Sequence, residues 1–329
     1  MKTRKRATPL SGVPPRDIGR TGDDSPAGSL WVFVWRMTGR GQSAAIALSL
    51  TGTLLALAPI ELQRRMIDDA INGGDAQLLL TLGLIYLAAI ILHQAAKLAL
   101  GLLQNWLSES AIAYIRAHLW DLRGAEAPRN GEGRDIVSVM TTEVEALGGF
   151  AGGAPSLAIA NVAMLVGALG YMFWVEPLVA AAGLALLAPQ AALAPLMQRR
   201  LNRLIAIRLR MMRRFTTALG RETPPGKAEL RLRAHRLYDS RIIFVIWKQS
   251  MKAMLNLLNA AAPLAVIGVG GWMVINGGAT LGVVVAFVGG FSRLGDPVRQ
   301  LISFYREAAE AKVRHDMVAS WMTKPEEPR

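Results

Sequence analysis

The chain of 329 residues has no cysteine. That excludes disulfides, thiolate metal sites and a cysteine nucleophile, and leaves the compartment open. Aromatic residues make up only 6% and charged residues only 19%, below the roughly 25% charged that is usual in soluble domains. A phosphate loop is missing as well. The stretch "GRETPPGKAEL" (220 to 230) offers a Gly-Lys pair, but the G-x-x-x-x-G-K-[ST] pattern needs glycine where Arg221 stands and a hydroxyl where Ala228 stands. Protease chemistry fares no better. The histidines at 93, 118, 235 and 315 form no H-E-x-x-H pair, and "RLGD" carries Arg293 where a G-x-G-D motif needs glycine. No second convergent acid is present, so an intramembrane enzyme has no catalytic constellation.

Carboxylates are scarce too: 24 against 37 lysines and arginines, a net charge of +13. Such an excess would suit nucleic acid only on a soluble surface with aromatics for stacking. With 52% hydrophobic side chains gathered in long runs, the chain reads as a membrane protein with no nucleic-acid partner. About 20 apolar residues cross a bilayer core. Six windows qualify: 43 to 63, 77 to 103, 151 to 173, 178 to 198, 255 to 275 and 280 to 302, the last interrupted by Arg293 and Asp296.

Lysine and arginine orient these spans, because they stay on the cytoplasmic side. Eight precede the first span, four lie between the second and third, fifteen between the fourth and fifth, and six run from Arg299 to the end; the opposite side has Arg64 and Arg65. Both termini are therefore expected in the cytoplasm. Outer connections are short ("DDAINGGDA", "WVEP", "NGGAT"), whereas the inner ones continue the helices. Leu201, Leu204, Ile205, Met211, Met212 and Phe215 keep helical spacing with arginines opposite, and a helix from Pro177 to Leu219 would be about 65 Å long, projecting roughly 30 Å from the membrane.

These readings give an all-α membrane protein of six transmembrane helices with long cytoplasmic helical extensions. Residues 1-29, rich in proline, glycine and basic groups, are expected to be a disordered cytoplasmic tail. Residues 30-40, with Trp31 and Trp35, form an interfacial elbow helix at headgroup level. The six-helix domain occupies 41-318, and 319-329 is a short cytoplasmic tail.

Three fragments recur in an informative order. "GRDIVSVMTTEVEALGGF" (133 to 150) carries Ser138, Glu143, Glu145, Leu147 and Phe150; "ETPPGKAELR" carries Glu222, Gly226, Leu230 and Arg231; and "GGWMVINGGATLGVVVAFVGGFSRLGDPVRQL" carries Gly271, Gly277, Thr280, Leu281, Gly282 and Pro297. With the six-span plan, residues 30 to 318 resemble the transmembrane domain of ABC exporters. The departures are one extra residue after Gly133, Glu143 where that family favours aspartate, and Pro224 where it favours leucine. Pro224 and Pro225 predict a kink or break, since each removes an amide donor and disfavours helix before it.

The resemblance implies a permease subunit that exports a small molecule, lipid or peptide. It implies Mg-ATP hydrolysis by an ATP-binding domain that the family usually carries on the same chain; residues 1–329 show neither its phosphate loop nor its L-S-G-G-Q signature, so a separate ABC ATP-binding subunit is expected, with no cofactor in this chain itself and pairing as a homodimer or with a second six-span half in a bacterial inner membrane. The alternative is a motor-less scaffold, receptor or regulator built on the same fold. Coupling to the ATPase would fall to short helices at two cytoplasmic tips, Arg123 to Glu132 and Leu232 to Asp239, with Arg129, Asn130, Glu132, Arg233, His235 and Tyr238 as contact residues. Ionisable groups inside spans are costly and usually face a polar interior, which makes His93, Lys97, Arg293 and Asp296 cavity candidates. His93 and Lys97 share one helical face, as do Arg293 and Asp296; Arg293 could also simply neutralise Asp296, and Lys97 could snorkel to an interface. Asn256 and Asn259 are candidates that could equally serve as interhelical hydrogen bonds.

Overall fold

The computed structural model describes residues 12–18, 28–123, 139–219 and 226–322. All regular structure among them is helical. In chain order the helices are α1 (Leu30–Thr38), α2 (Arg40–Arg65), α3 (Ala76–Arg123), α4 (Val144–Val175), α5 (Pro177–Leu219), α6 (Lys227–Ile275) and α7 (Leu281–Met322). A π-helical turn, Met66–Ile71, extends α2, and another, Val139–Glu143, leads into α4.

Among the described residues, five helices are long and apolar enough to cross a membrane: Arg40–Ile71, Ala76–Asp121, Met140–Val175, Lys227–Ile275 and Leu281–Ala319. They contain five of the six expected spans. The fourth expected span, 178 to 198, lies in the first half of α5, whose described apolar stretch is the shorter Pro177–Pro189. Arg293 and Asp296 do not interrupt α7, and Pro297 lies inside it, because one missing amide hydrogen bond can be absorbed in a helix of 42 residues. The expected break at Pro224 and Pro225 lies outside the described residues; α5 stops at Leu219 and α6 starts at Lys227.

The chain forms two compact units, one of Met1–Leu62, Gln77–Gly167 and Asp296–Arg329, the other of Gln63–Ala76 and Ala168–Gly295. In the first, α1 is amphipathic at helical spacing. Leu30, Phe33, Val34 and Met37 are buried, while Trp31, Val32 and Trp35 are more than half exposed. Ser29 caps its start by accepting from the Val32 amide, and Gly39, at φ 47°, ends it. The buried face joins Ile112, Ile115 and Leu119 of α3, Leu147 and Phe150 of α4, and Ala311 and Val318 of α7. Helices α3 and α4 approach so closely that a Cβ on Gly152 would lie 2.5 Å from the Ser108 amide nitrogen, a place only glycine can hold.

Residues 12–18 depart from the expected disorder. The Arg16 amide donates to Ser110 Oγ at 3.0 Å, the Arg16 guanidinium donates to the Met37 carbonyl at 2.9 Å, and Ile18 enters the same core. Composition missed this because the segment is held by neighbours more than 20 residues away rather than by its own apolar content.

In the second unit α5 and α6 pack side by side. Phe287 and Phe291 of α7 are fully buried, and the Phe291 ring fills the space left at Gly183 of α5.

Candidate functional site

The motif 139 to 150 builds a compact constellation. Glu143 Oε2 accepts from Arg314 Nη1 of α7 at 3.0 Å, and both side chains are about three-quarters buried. Arg116 of α3 donates to the Met140 carbonyl at 3.0 Å and pairs with Glu145 at 3.5 Å. Leu147 is fully buried, and Phe150 stacks on Phe304 of α7 at 6.0 Å between ring centroids, with Trp31 tilted against both. Two buried histidines flank this core: His315 meets Phe33 edge-on, and His118 stacks on Tyr114. The motif is thus a fastening of α1, α3, α4 and α7. Nothing in the sequence pointed to Arg314, which stands 171 residues from its partner.

The Thr280-Leu281-Gly282 fragment opens α7 as a cap. Thr280 Oγ1 accepts from the Val283 amide at 3.4 Å, while Asp68, in the π-helical turn after α2, accepts from both Thr280 Oγ1 and the Gly282 amide. Arg64 lies 3.9 Å from Asp68. Sequence reasoning missed Asp68 because it sits in a short, otherwise ordinary connection.

The intramembrane candidates divide. His93 Nδ1 is 2.8 Å from the Gly52 carbonyl of α2, so it donates across helices in the tautomer carrying that proton. Lys97, one turn on along α3, is exposed. Asn259 lies against Gly295 of α7, where a Cβ would stand 2.7 Å from its amide oxygen, whereas Asn256 is exposed. Asp296 pairs with Arg299, three residues on along α7, in the role of local neutraliser that was expected of Arg293. Arg293 is exposed in the second unit and Lys97 in the first. Two further polar pairs carried no sequence signal: Asn161 with Gln300 at 3.3 Å and Gln104 with Ser156 at 2.8 Å. They are interhelical hydrogen bonds of the kind that polar groups supply inside membranes.

Of the coupling residues, Arg129, Asn130 and Glu132 lie outside the described residues. Arg233, His235 and Tyr238 occupy the opening turns of α6. They do not form a separate short helix, because 227 to 239 contains no breaker and α6 continues uninterrupted to Ile275. Arg233 pairs with Glu229, and His235 lies 3.8 Å from Asp239 with its ring stacked on Tyr238 at 6.1 Å. His235, Tyr238 and Leu232 are exposed, a polar and aromatic surface suited to docking. Beside it a shallow hollow of about 290 Å³ is lined by Phe215, Lys227, Leu230, Arg231 and Ala234. Among the described residues no cluster of three metal-ligating side chains occurs.

Residues 43–206 match the family model of the ABC transporter transmembrane region. Over 65 residues the chain is 43% identical to YgaD of Bacillus subtilis (strain 168), whose name describes a multidrug export ATP-binding/permease protein. That match covers 20% of this chain and only 11% of the relative's length. Membrane-length helices, and a family match that takes in three of them and the apolar start of α5, lead to one assignment: the chain is an integral membrane protein with the all-α fold of the exporter type and belongs to the ABC transporter transmembrane-region family.

Proposed function

We propose that the chain is the permease half of an ATP-driven exporter of a small molecule, lipid or peptide. The observation that carries this reading is the family match over residues 43–206 on helices that continue well beyond membrane length. Mg-ATP would be bound by an ATP-binding partner, in this reading a separate subunit. A second six-span half, a copy of this chain or a homologue, would complete the pathway. The lysine and arginine distribution supports an inner-membrane topology with both termini cytoplasmic.

In this reading α5 and α6 carry motion between the ATP-binding subunit and the spans. The surface of exposed His235 and Tyr238 with partly buried Arg233 docks that subunit, and the Glu143–Arg314 fastening holds the other cytoplasmic ends together while the spans rearrange. In each unit the polar groups of the spans would meet substrate: His93, Lys97 and Asp296 in the first, Asn256, Asn259 and Arg293 in the second. The name of the Bacillus subtilis relative supports export of drug-like molecules as the first substrates to try.

The test is purification of the chain from native membranes in mild detergent, followed by identification of stoichiometric companions and an ATP hydrolysis assay. An ATP-binding protein whose hydrolysis falls when His235 and Tyr238 are replaced by alanine is the expected result. A dimer that comes out with no such companion and stimulates no hydrolysis would overturn the permease reading in favour of a scaffold or regulator.

A further inference from the structure

The register of α5 against α6 sets a group of cations at one level. Arg200 lies over the Trp247 ring, its guanidinium carbon 3.8 Å from the centroid, and Arg241 lies over Phe244 at 5.6 Å. Nineteen residues separate Arg200 from the end of α5 at Leu219, and twenty separate the start of α6 at Lys227 from Trp247. The two helices therefore form an antiparallel hairpin in which Arg199 and Arg203 stand level with Lys248 and Phe244. On α5, Arg199 and Arg203 share a face at i, i+4; on α6, Arg241, Lys248 and Lys252 share one at i, i+7, i+11. All six cations are exposed.

What surrounds them is equally one-sided. No aspartate or glutamate occurs between Glu176 and Glu222, nor between Asp239 and Asp296. None of the six has a carboxylate partner among the described residues. The cations begin where the apolar stretch of α5 gives way, just after Gln198, and where the fifth span begins, after Lys252. Cations at that depth lie at headgroup level, beside an aromatic ring, with no internal counter-ion.

We propose that Arg199, Arg200 and Arg203 of α5 and Arg241, Lys248 and Lys252 of α6 form a binding site for the headgroup phosphate of anionic phospholipid in the leaflet nearest the α5–α6 turn. It rests on α5 and α6 crossing the membrane, and not on transport or on any ATP-binding partner. Guanidinium groups hold phosphate oxygens through paired N–H donors, the ammonium groups add point charge, and the acyl chains lie along the adjoining apolar surface. Arg210 and Arg214 continue the α5 stripe about 10 Å and 16 Å beyond Arg203 along the helix axis, farther from the apolar span. They serve as an internal control for charge without depth.

The test uses the full chain, solubilised in a non-ionic detergent and titrated with phosphatidylglycerol or phosphatidylcholine of the same acyl chains, with bound lipid counted by native mass spectrometry. The unaltered chain is expected to retain phosphatidylglycerol preferentially. Arg199→Gln/Arg203→Gln/Lys248→Gln should lose that preference by about tenfold or more, while Arg210→Gln/Arg214→Gln should keep it. Should the triple variant not fold, the single variants Arg203→Gln and Lys248→Gln give the same comparison with a smaller loss. Equal retention of the two lipids by the unaltered chain would overturn the proposal, as would an equal loss in the distal double variant. Full displacement of phosphatidylglycerol by millimolar inorganic phosphate would reassign the site to a free anion. A chain that resists carbonate extraction from membranes yet shows no lipid preference sinks the lipid site alone; one that is extracted sinks the membrane reading with it.

Discussion

Asp68 and Thr280 stand 212 residues apart, yet the Thr280 hydroxyl donates to the Asp68 carboxylate at 2.6 Å. The second carboxylate oxygen takes the Gly282 amide at 2.9 Å, so one side chain from the turn after α2 satisfies the start of α7. A negative charge at a helix N-terminus also meets the positive end of the helix dipole. The Thr-Leu-Gly fragment is explained by this cap: threonine supplies the hydroxyl, and glycine lets the two backbones approach.

Asp68→Ala should therefore destabilise the protein by about 1 kcal/mol, the usual cost of losing a cap. Gly282→Ala should cost more than a surface change, because its Cβ would stand 2.6 Å from both the Arg64 carbonyl and Asp68. Thermal unfolding in detergent measures both. An unchanged midpoint for the two variants would remove the cap from the account of α7.

The Glu143–Arg314 pair predicts energetic coupling. Both side chains are largely buried and hydrogen-bonded, so removing one leaves the other charge poorly solvated. Glu143→Ala and Arg314→Ala should each destabilise, and the double variant should recover about 1 kcal/mol relative to their sum. A double-mutant cycle on chemical or thermal unfolding decides it; strict additivity would mean that the ion pair contributes nothing specific.

Size alone does not predict the elbow variants. Phe33 is buried in the core shared by α1, α3, α4 and α7, whereas Trp35 is more than half exposed. Phe33→Ala should cost about 3 kcal/mol, and Trp35→Ala much less in detergent despite the larger side chain. The reverse order of melting temperatures would place α1 the other way round.

Arg16 offers a test of the extended segment before α1. Its guanidinium ends α1 through the Met37 carbonyl and occupies the space at Gly39, where any side chain would collide. Arg16→Ala should speed amide hydrogen exchange at the last turn of α1 and at residues 12–18, leaving α5 and α6 unchanged. Equal exchange in the unaltered chain and in Arg16→Ala would show that the segment is not held through Arg16.

Much of this protein was written in local pattern. Apolar runs of about 20 residues located the spans because the bilayer core has a fixed thickness, and helical periodicity gave α1 its buried and exposed faces. The asymmetric scatter of lysine and arginine needed no partner residue to be read. The functional candidates were legible only as residue types at a depth: His93 and Asn259 prove to meet other helices, while Lys97 and Asn256 are exposed, a difference that rotation about the helix axis decides.

The rest depended on which helices meet. Glu143 was visible as a motif residue, but Arg314 was not, since an ion pair between segments 171 residues apart leaves no trace in spacing. Composition made residues 12–18 look disordered, and only the Ser110 hydroxyl, the Met37 carbonyl and a core open to Ile18 give that segment a place. Sequence by itself determined which stretches are helical and apolar, because those follow from local hydrogen bonding and side-chain transfer free energy. Tertiary structure decided which charges are paired, which polar groups bridge helices, and that α6 runs unbroken from Lys227 through the expected coupling tip, because these depend on neighbours that the chain brings together only by folding.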